Sequence, residues 1–281
     1  MTTGKLPVAV LLLVVMAGFV QFSYDSQRGY FAERDVFLTL PTGKVLKVFS
    51  FGYHRLVADV LFIWSIQFYS SYHLVNRFDH IERIFNVITD LRPKFRAAYY
   101  IGSIIMALEA KDYQMAIRLL QKGSRNMSDE WVFDYEAAYY ARKYLGDYRL
   151  AETYYRRALR NPSAPALIRR QMAHMVYLQD NLQEARKLWA DIYQNSSSDL
   201  ERNAAIHHLY QIKFELDKKM LETKIRRYRQ HYGRNPINLN ELRRTGLINE
   251  VPKDFSGQDY LYDLKTGTIQ PRKSFKWKRF S

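Results

Sequence analysis

The middle of the chain repeats itself, and a repeat constrains a fold more tightly than any other sequence feature. The pairs Arg77-Phe78, Asp112-Tyr113, Asp147-Tyr148 and Asn181-Leu182 recur about 34–35 residues apart. Three residues beyond each pair stand Ile81, Ala116, Ala151 and Ala185, and four further on come Phe85, Leu120, Tyr155 and Trp189. Three beyond those lie Ile88, Gly123, Ala158 and Ile192. Steps of three and four residues return to the same face of an α-helix. That face therefore offers small side chains where another helix comes close and large ones where a gap needs filling. The Asp or Asn ahead of each start suits a loop that ends one helix and begins the next. A unit of this length holds two helices and a turn, cannot bury its apolar face alone, and must stack on its neighbours. The pattern predicts helices over residues 53–73, 77–91, 95–110, 113–126, 130–145, 148–160, 164–179 and 182–194, then a pair at 199–214 and 217–231. In the last of these, Leu221, Ile225, Tyr228 and Tyr232 form one apolar stripe, as a terminal capping helix requires.

Composition agrees with helices. The 281 residues include 12 Gly and 8 Pro, and the 22 Tyr sit among Ala, Leu, Arg, Glu and Lys, a mixture that favours helix over strand. There is no cysteine, which excludes disulfides, thiolate metal sites, a cysteine nucleophile and a lipidated-cysteine anchor. The formal net charge of +15 points to an anionic contact or to a solvated basic surface, and charge alone does not choose between them.

The segment from Leu145 to Ala158, Leu-Gly-Asp-Tyr-Arg-Leu-Ala-Glu-Thr-Tyr-Tyr-Arg-Arg-Ala, resembles the second half of a tetratricopeptide repeat (TPR) unit almost residue for residue. Pro93 and Pro162 fall close to where that motif places its terminal proline. Ile81 and Gly123 depart from it, at positions where the motif prefers alanine. The resemblance implies an all-α solenoid of helical hairpins, with the first helix of each unit lining a concave face that binds protein. Counting back from the small residues puts Phe133, Glu136, Tyr140 and Lys143 on that face in the third unit, and Arg170, His174 and Tyr177 in the fourth. Aromatic and basic side chains together suit an extended peptide with acidic groups. The alternative for each is a packing role between helices.

Between Lys5 and Asp25 no residue is charged, and the run from Leu6 to Val20 is apolar throughout. As a helix the uncharged stretch is roughly 28 Å long, enough for a bilayer core. The competing reading is a cleaved signal peptide, but Ala17-Gly18-Phe19-Val20-Gln21-Phe22-Ser23 offers no small-x-small site, so an uncleaved anchor is expected. Lys5 on one side and Arg28 and Arg34 on the other nearly balance, and a short inner tail with the large domain in the periplasm is the expected arrangement. Val57–Ile66 carries Asp59 and is too short for a second span; it reads as a core helix whose Asp59 needs a donor such as Arg55 or a backbone N–H. Val45–Phe51 alternates in part, as a short strand does. The stretch from Leu40-Pro41 through Gly52-Tyr53 to Leu56-Val57-Ala58-Asp59 resembles the start of bacterial membrane-anchored TPR proteins associated with type IV pilus and exporter gene clusters.

After Tyr232 the character changes. Gly233-x-x-Pro236-x-x-Leu239-x-x-Leu242, then Val251-Pro252-x-Asp254-x-x-Gly257-x-x-Tyr260-x-Tyr262, is similar to the C-terminus of type II secretion pseudopilins. Phe255-Ser256 depart from that pattern after the aspartate, and no calcium site is carried over. Asn240 is placed to cap a short helix ending near Gly246, and 259–263 and 267–270 are placed to pair as a hairpin. The final residues, Arg272 to Phe280, interleave basic and aromatic side chains; a solvated end, a membrane or partner contact, and nucleic acid are the readings open to them.

No constellation for catalysis is present. The seven histidines make no His-Glu-x-x-His pattern, Gly43-Lys44 lacks a glycine-rich loop before it, and no Gly-x-Ser-x-Gly occurs. The organisation expected is a transmembrane anchor at 1–24, a linker at 25–52, a TPR solenoid at 53–232, a small α+β cap at 233–271 and a basic aromatic tail at 272–281. The expected function is non-enzymatic: a single-pass inner-membrane scaffold that needs no cofactor or metal and docks protein partners at the bacterial envelope. Its rivals are a tethered binder of nucleic acid or anionic lipid, or a non-catalytic subunit of an envelope enzyme.

Overall fold

A computed structural model of the chain describes residues 40–70 and 77–272. The expected anchor, most of the linker, His73 and the tail beyond Arg272 lie outside the described residues. Among the described residues the all-α expectation holds: eleven α-helices and one two-stranded ribbon make up the regular structure.

The first helix, α1 (Gly43–Phe49), corrects the strand expected at 45–51. Thr42 caps it by accepting the Val45 N–H at 3.5 Å. Gly43 lies so close to the third helix that a Cβ there would sit 2.4 Å from Asp90 Cβ. The Arg83 guanidinium also donates to the Leu40 carbonyl, so tertiary contact decides the local conformation. α2 (His54–Tyr69) follows, and α3 (Ile81–Leu91) begins later than the expected residue 77, since residues 77–80 form a turn. Asp59 on α2 pairs with Arg92 just past α3, rather than with Arg55.

α4 (Arg96–Ile104) runs on into a π-helical turn at Ile105–Glu109. α5 is Tyr113–Asn126, and α6 (Trp131–Tyr140) runs on into a second π-helical turn at Ala141–Leu145. α7 (Tyr148–Ala158), α8 (Ala166–Leu178) and α9 (Leu182–Asn195) complete the series.

Three of the turns between these helices are built alike. Lys111, Gly146 and Asp180 take left-handed backbone, with φ of 56°, 64° and 63°. The next residue in each case caps the following helix. Asp112 accepts the Met115 N–H at 2.8 Å, Asp147 the Leu150 N–H at 2.8 Å, and Asn181 the Glu184 N–H at 3.4 Å. Each pair therefore ends one helix by reversing the chain and satisfies a free N–H of the next. The periodic small residues Ala116, Ala151 and Ala185 have no exposed surface, and Phe85, Leu120, Tyr155 and Trp189 are buried beside them. Gly102 lies where a Cβ would come within 2.6 Å of Phe85 and 2.8 Å of Leu119, so α3, α4 and α5 meet at its bare backbone.

The main packing is between chain neighbours: α2 on α3, α4 on α5, and then each helix from α5 to α10 on the next. α10 (Asp199–Tyr232) corrects the helix pair expected at 199–214 and 217–231, being one helix of 34 residues. Phe214-Glu215-Leu216-Asp217 contains neither glycine nor proline, and nothing there breaks the hydrogen-bond ladder. Its first half closes a core of Ala173, Val176, Leu182, Ala185, Trp189 and Ile192. Its second half supports a separate core with Leu239, Leu242, Ile248, Tyr260 and Ile269.

That last core gathers the C-terminal segment. α11 (Leu239–Arg244) is capped by Asn238 rather than Asn240: Asn238 accepts the Glu241 N–H at 3.2 Å and Glu241 reaches back to the Ile237 N–H at 2.6 Å. The cap at Asn238, with Glu241 holding the N–H of the residue just before it, fixes the start of the helix two residues early. The expected hairpin forms between β1 (Leu261–Tyr262) and β2 (Ile269–Gln270), with Leu261 opposite Gln270. Tyr260 ties it to α10 by donating to Asp217 Oδ2 at 2.6 Å.

Candidate functional site

The seven residues expected to line a docking groove divide into three groups. Phe133 and Tyr140 on α6 are core residues, a correction to the expected groove. Phe133 has no exposed surface and meets the Tyr99 ring edge-on at 5.5 Å, and Tyr140 is 3% exposed. Burial pushes the Tyr140 phenol up to about 12. The buried stripe of α6 is Phe133, Ala137, Tyr140 and Ala141, spaced at three and four residues, and it faces the neighbouring helices.

The second group faces outward. Glu136 is half-buried, and burial raises its carboxyl above the usual range. Lys143 is exposed and donates from Nζ to the Tyr139 hydroxyl at 2.7 Å. Its ammonium lies 5.2 Å from the Tyr139 ring centre and 5.3 Å from that of Tyr144. The hydrogen bond to Tyr139, then the field of the two phenols, raises its pKa. Arg142 stands beside it, 5.7 Å above the Tyr139 ring. Glu136, Tyr139 and Lys143 fall at steps of three and four, so one side of α6 and its π-helical turn presents a carboxylate, two phenols and two cations.

The third group is engaged with the next helices. Arg170 pairs with Glu201 on α10 at 3.4 Å. The Tyr177 hydroxyl accepts from Gln211 Nε2 at 2.7 Å. His174 lies 5.6 Å from His208 and 6.1 Å from Tyr177, and His208 stacks on Trp189 at 3.7 Å. Burial lowers the His174 pKa, with the Arg142 charge adding to it, and burial brings His208 down to about 3. Arg170, His174 and Tyr177 thus hold α8 against α10, the packing alternative left open for them by the sequence.

The sequence does not single out Tyr139 and Arg142, which are half-buried beside Glu136 and Lys143 on α6 and its π-helical turn. A signal is present for Tyr139, which lies three residues after Glu136 and four before Lys143; Arg142, six from Glu136 and adjacent to Lys143, carries no such signal. The aromatic character of Phe133 and Tyr140 suits a groove and a buried stripe equally. Open depressions of about 320 Å³ and 420 Å³ lie elsewhere, the first at Lys253, Gln258, Asp259 and Arg272, the second at Arg227, Gln230, His231, Tyr232, Thr245 and Leu247. Among the described residues no group of three or more His, Asp or Glu side chains is placed to hold a metal ion, and no helix is long and apolar enough to cross a membrane. A scan against protein-family models finds no match to the chain, and a search of the curated proteins finds none either.

Proposed function

We propose that the chain is a TPR-type scaffold, held at a membrane by its N-terminal segment, which docks protein partners against the exposed side of its first helices. The observation that carries this reading is the threefold turn at Lys111-Asp112, Gly146-Asp147 and Asp180-Asn181, each a left-handed residue followed by a capping side chain. Equivalent turns at near-equal spacing, with small buried residues three positions into each following helix, are what a stack of equivalent helical hairpins needs. The docking surface in this reading is Glu136, Tyr139, Arg142 and Lys143. Phenols supply broad, stiff contact area, and the cations favour an extended peptide carrying acidic groups. Tethering at a bilayer raises the local concentration of partners, and an envelope machine such as a pilus or exporter, reached from the inner membrane on the periplasmic side, is the proposed setting.

The test is crosslinking of the full chain in its native membrane, with captured proteins identified by mass spectrometry. It is repeated for Tyr139→Ala combined with Lys143→Glu. Lys143 is exposed and Tyr139 half-exposed, so the fold of the variant is checked by circular dichroism before capture; Tyr140→Ala, by contrast, empties a core site and costs about 3–5 kcal/mol. A defined partner set lost in the double variant supports the reading. An unchanged set, or none, removes the docking surface.

A further inference from the structure

The N-terminal end of the described chain carries an apolar face that none of the other described residues covers. On α1 and the turn after it, Val48 is 74% exposed, Phe49 68% and Phe51 85%. On α2, Leu56, Val60 and Ile63 are each 57–60% exposed, and Tyr53 at its start is 63% exposed. Leu56, Val60 and Ile63 lie at steps of four and three, so they form a single stripe along α2. The opposite side of the same helix, with Ala58, Ser65 and Tyr69, is buried.

This face is held in place. Gly43 against Asp90, and Arg83 to the Leu40 carbonyl, fix α1 on α3. Phe51 has φ of 46°, a left-handed conformation that a bulky residue rarely adopts, and the glycine beside it, Gly52, has φ of 91°. The turn thus holds the Phe51 ring on the outside, 85% exposed. Lys44, Lys47 and Arg55 are exposed around it, while the nearby carboxylates Asp59 and Asp90 are already paired, with Arg92 and Lys122.

We infer that α1, its turn and the outer stripe of α2 form a surface that lies on an anionic lipid bilayer, with Phe49, Phe51 and Tyr53 entering the headgroup layer and Lys44, Lys47 and Arg55 above them on the phosphates. Aromatic rings flanked by cations are the side chains that settle at that depth. The position in the chain chooses the bilayer over a protein partner. Leu40 is joined through residues 25–39 to the uncharged stretch between Lys5 and Asp25. Fully extended, that spacer reaches no more than about 50 Å, so the face stays close to wherever the uncharged stretch resides. The inference rests on the anchored reading proposed above. It adds that the fold is seated on the membrane by a specific face, which fixes its orientation, instead of hanging from a flexible tether.

The chain has no cysteine, so single cysteines can be introduced and labelled in the full-length protein. Phe51→Cys and Val60→Cys test the face, Thr245→Cys serves as the exposed reference, and Val14→Cys reports the anchor. Each is labelled with an environment-sensitive fluorophore and reconstituted into vesicles of phosphatidylethanolamine and phosphatidylglycerol containing spin-labelled lipid. The expected result is quenching by lipid at 51 and 60 at least threefold greater than at 245, with the order reversed for iodide in the water. Replacing phosphatidylglycerol by phosphatidylcholine is expected to reduce the quenching at 51 and leave that at 14 unchanged. Quenching at 14 with free iodide access at 51 overturns the inference and spares the anchor. Protection of 51 from both quenchers means that a protein surface covers it, and also overturns the inference. Absence of lipid quenching at 14 and at 51 together removes the anchored reading with it.

Discussion

Asp112, Asp147 and Asn181 do the same job with unequal geometry, and the inequality can be measured. The two aspartates accept at 2.8 Å and the asparagine at 3.4 Å. Loss of a good cap costs about 1 kcal/mol. Asp112→Ala and Asp147→Ala are each expected to lower stability by about that amount in denaturant unfolding, and Asn181→Ala by less than half of it. Equal losses at all three sites would show that the capping bond is not what these residues contribute. The buried histidines make a second prediction at this scale. His208 is held neutral with its pKa near 3, by burial first and by the neighbouring His174 and His207 second; His174 is lowered by burial and then by Arg142. An unfolded histidine titrates near 6.5, so below that pH the unfolded chain takes up protons that the folded chain refuses. The stability tied to these groups is complete above pH 6.5 and is lost progressively as pH falls toward 3. Between pH 6.5 and 5 the expected loss is at most about 1.4 kcal/mol per pH unit for each histidine. His208→Gln, although less stable at pH 7.5, is expected to show a shallower slope than the wild type in thermal unfolding. A slope that the substitution leaves unchanged assigns the pH dependence to other groups.

At the scale of the element, α10 is the part that joins otherwise separate pieces. One end completes the core around Trp189 and the other the core around Tyr260, with Phe214-Glu215-Leu216-Asp217 between them. Glu215→Pro removes a ladder hydrogen bond and kinks the helix, at about 3 kcal/mol or more. The expected outcome is new protease cleavage near residue 215, with the C-terminal piece released intact; a fragment that is instead degraded shows that the last core needs the rest of the chain. Helix α10 also shows what could be read from sequence and what could not. The turns at Asp112, Asp147 and Asn181 were legible because capping chemistry is local and leaves its residue type at a fixed place. The break expected near 215 is not encoded: the stretch has no glycine or proline, and Asp217, the one capping residue type there, accepts from Lys213 and Tyr260 instead of a helix N–H. The helix at Gly43–Phe49 was illegible for the opposite reason. Its conformation is set by Gly43 lying on Asp90, a contact between residues far apart in the chain. On α6, a buried Tyr140 and a half-exposed Tyr139 are adjacent and chemically identical, so residue type could not separate core from surface. Only the stripe through Phe133, Ala137 and Ala141 does so.

Across the whole molecule, packing passes from each helix to the next, and the strong contacts join chain neighbours. The buried residues fall into one core from Ala58 to Met175 and two smaller ones along α10, and damage is expected to spread only as far as neighbouring helices share a core. Trp189 offers the sharpest test. It is 2% exposed, stacks on His208 of α10, and belongs to the core that α8 and α9 share with the first half of α10. Its replacement by alanine leaves a large cavity, at about 3–5 kcal/mol. Hydrogen exchange then reports where that loss is felt. Amides of α8, α9 and the first half of α10 are expected to lose protection by two or more orders of magnitude, since about 1.4 kcal/mol corresponds to a factor of ten. Amides in the second half of α10, α11 and the ribbon, which pack on Leu221, Ile225 and Tyr228, are expected to hold theirs to within a few-fold. The helices before α7 should be equally unaffected. A uniform fall along the chain would mean that α10 transmits instability end to end and that the protein unfolds as one unit. A fall confined to α8, α9 and half of α10 would mean that the fold is a row of coupled but separable segments, in which a partner bound at α6 is not felt at the C-terminal core.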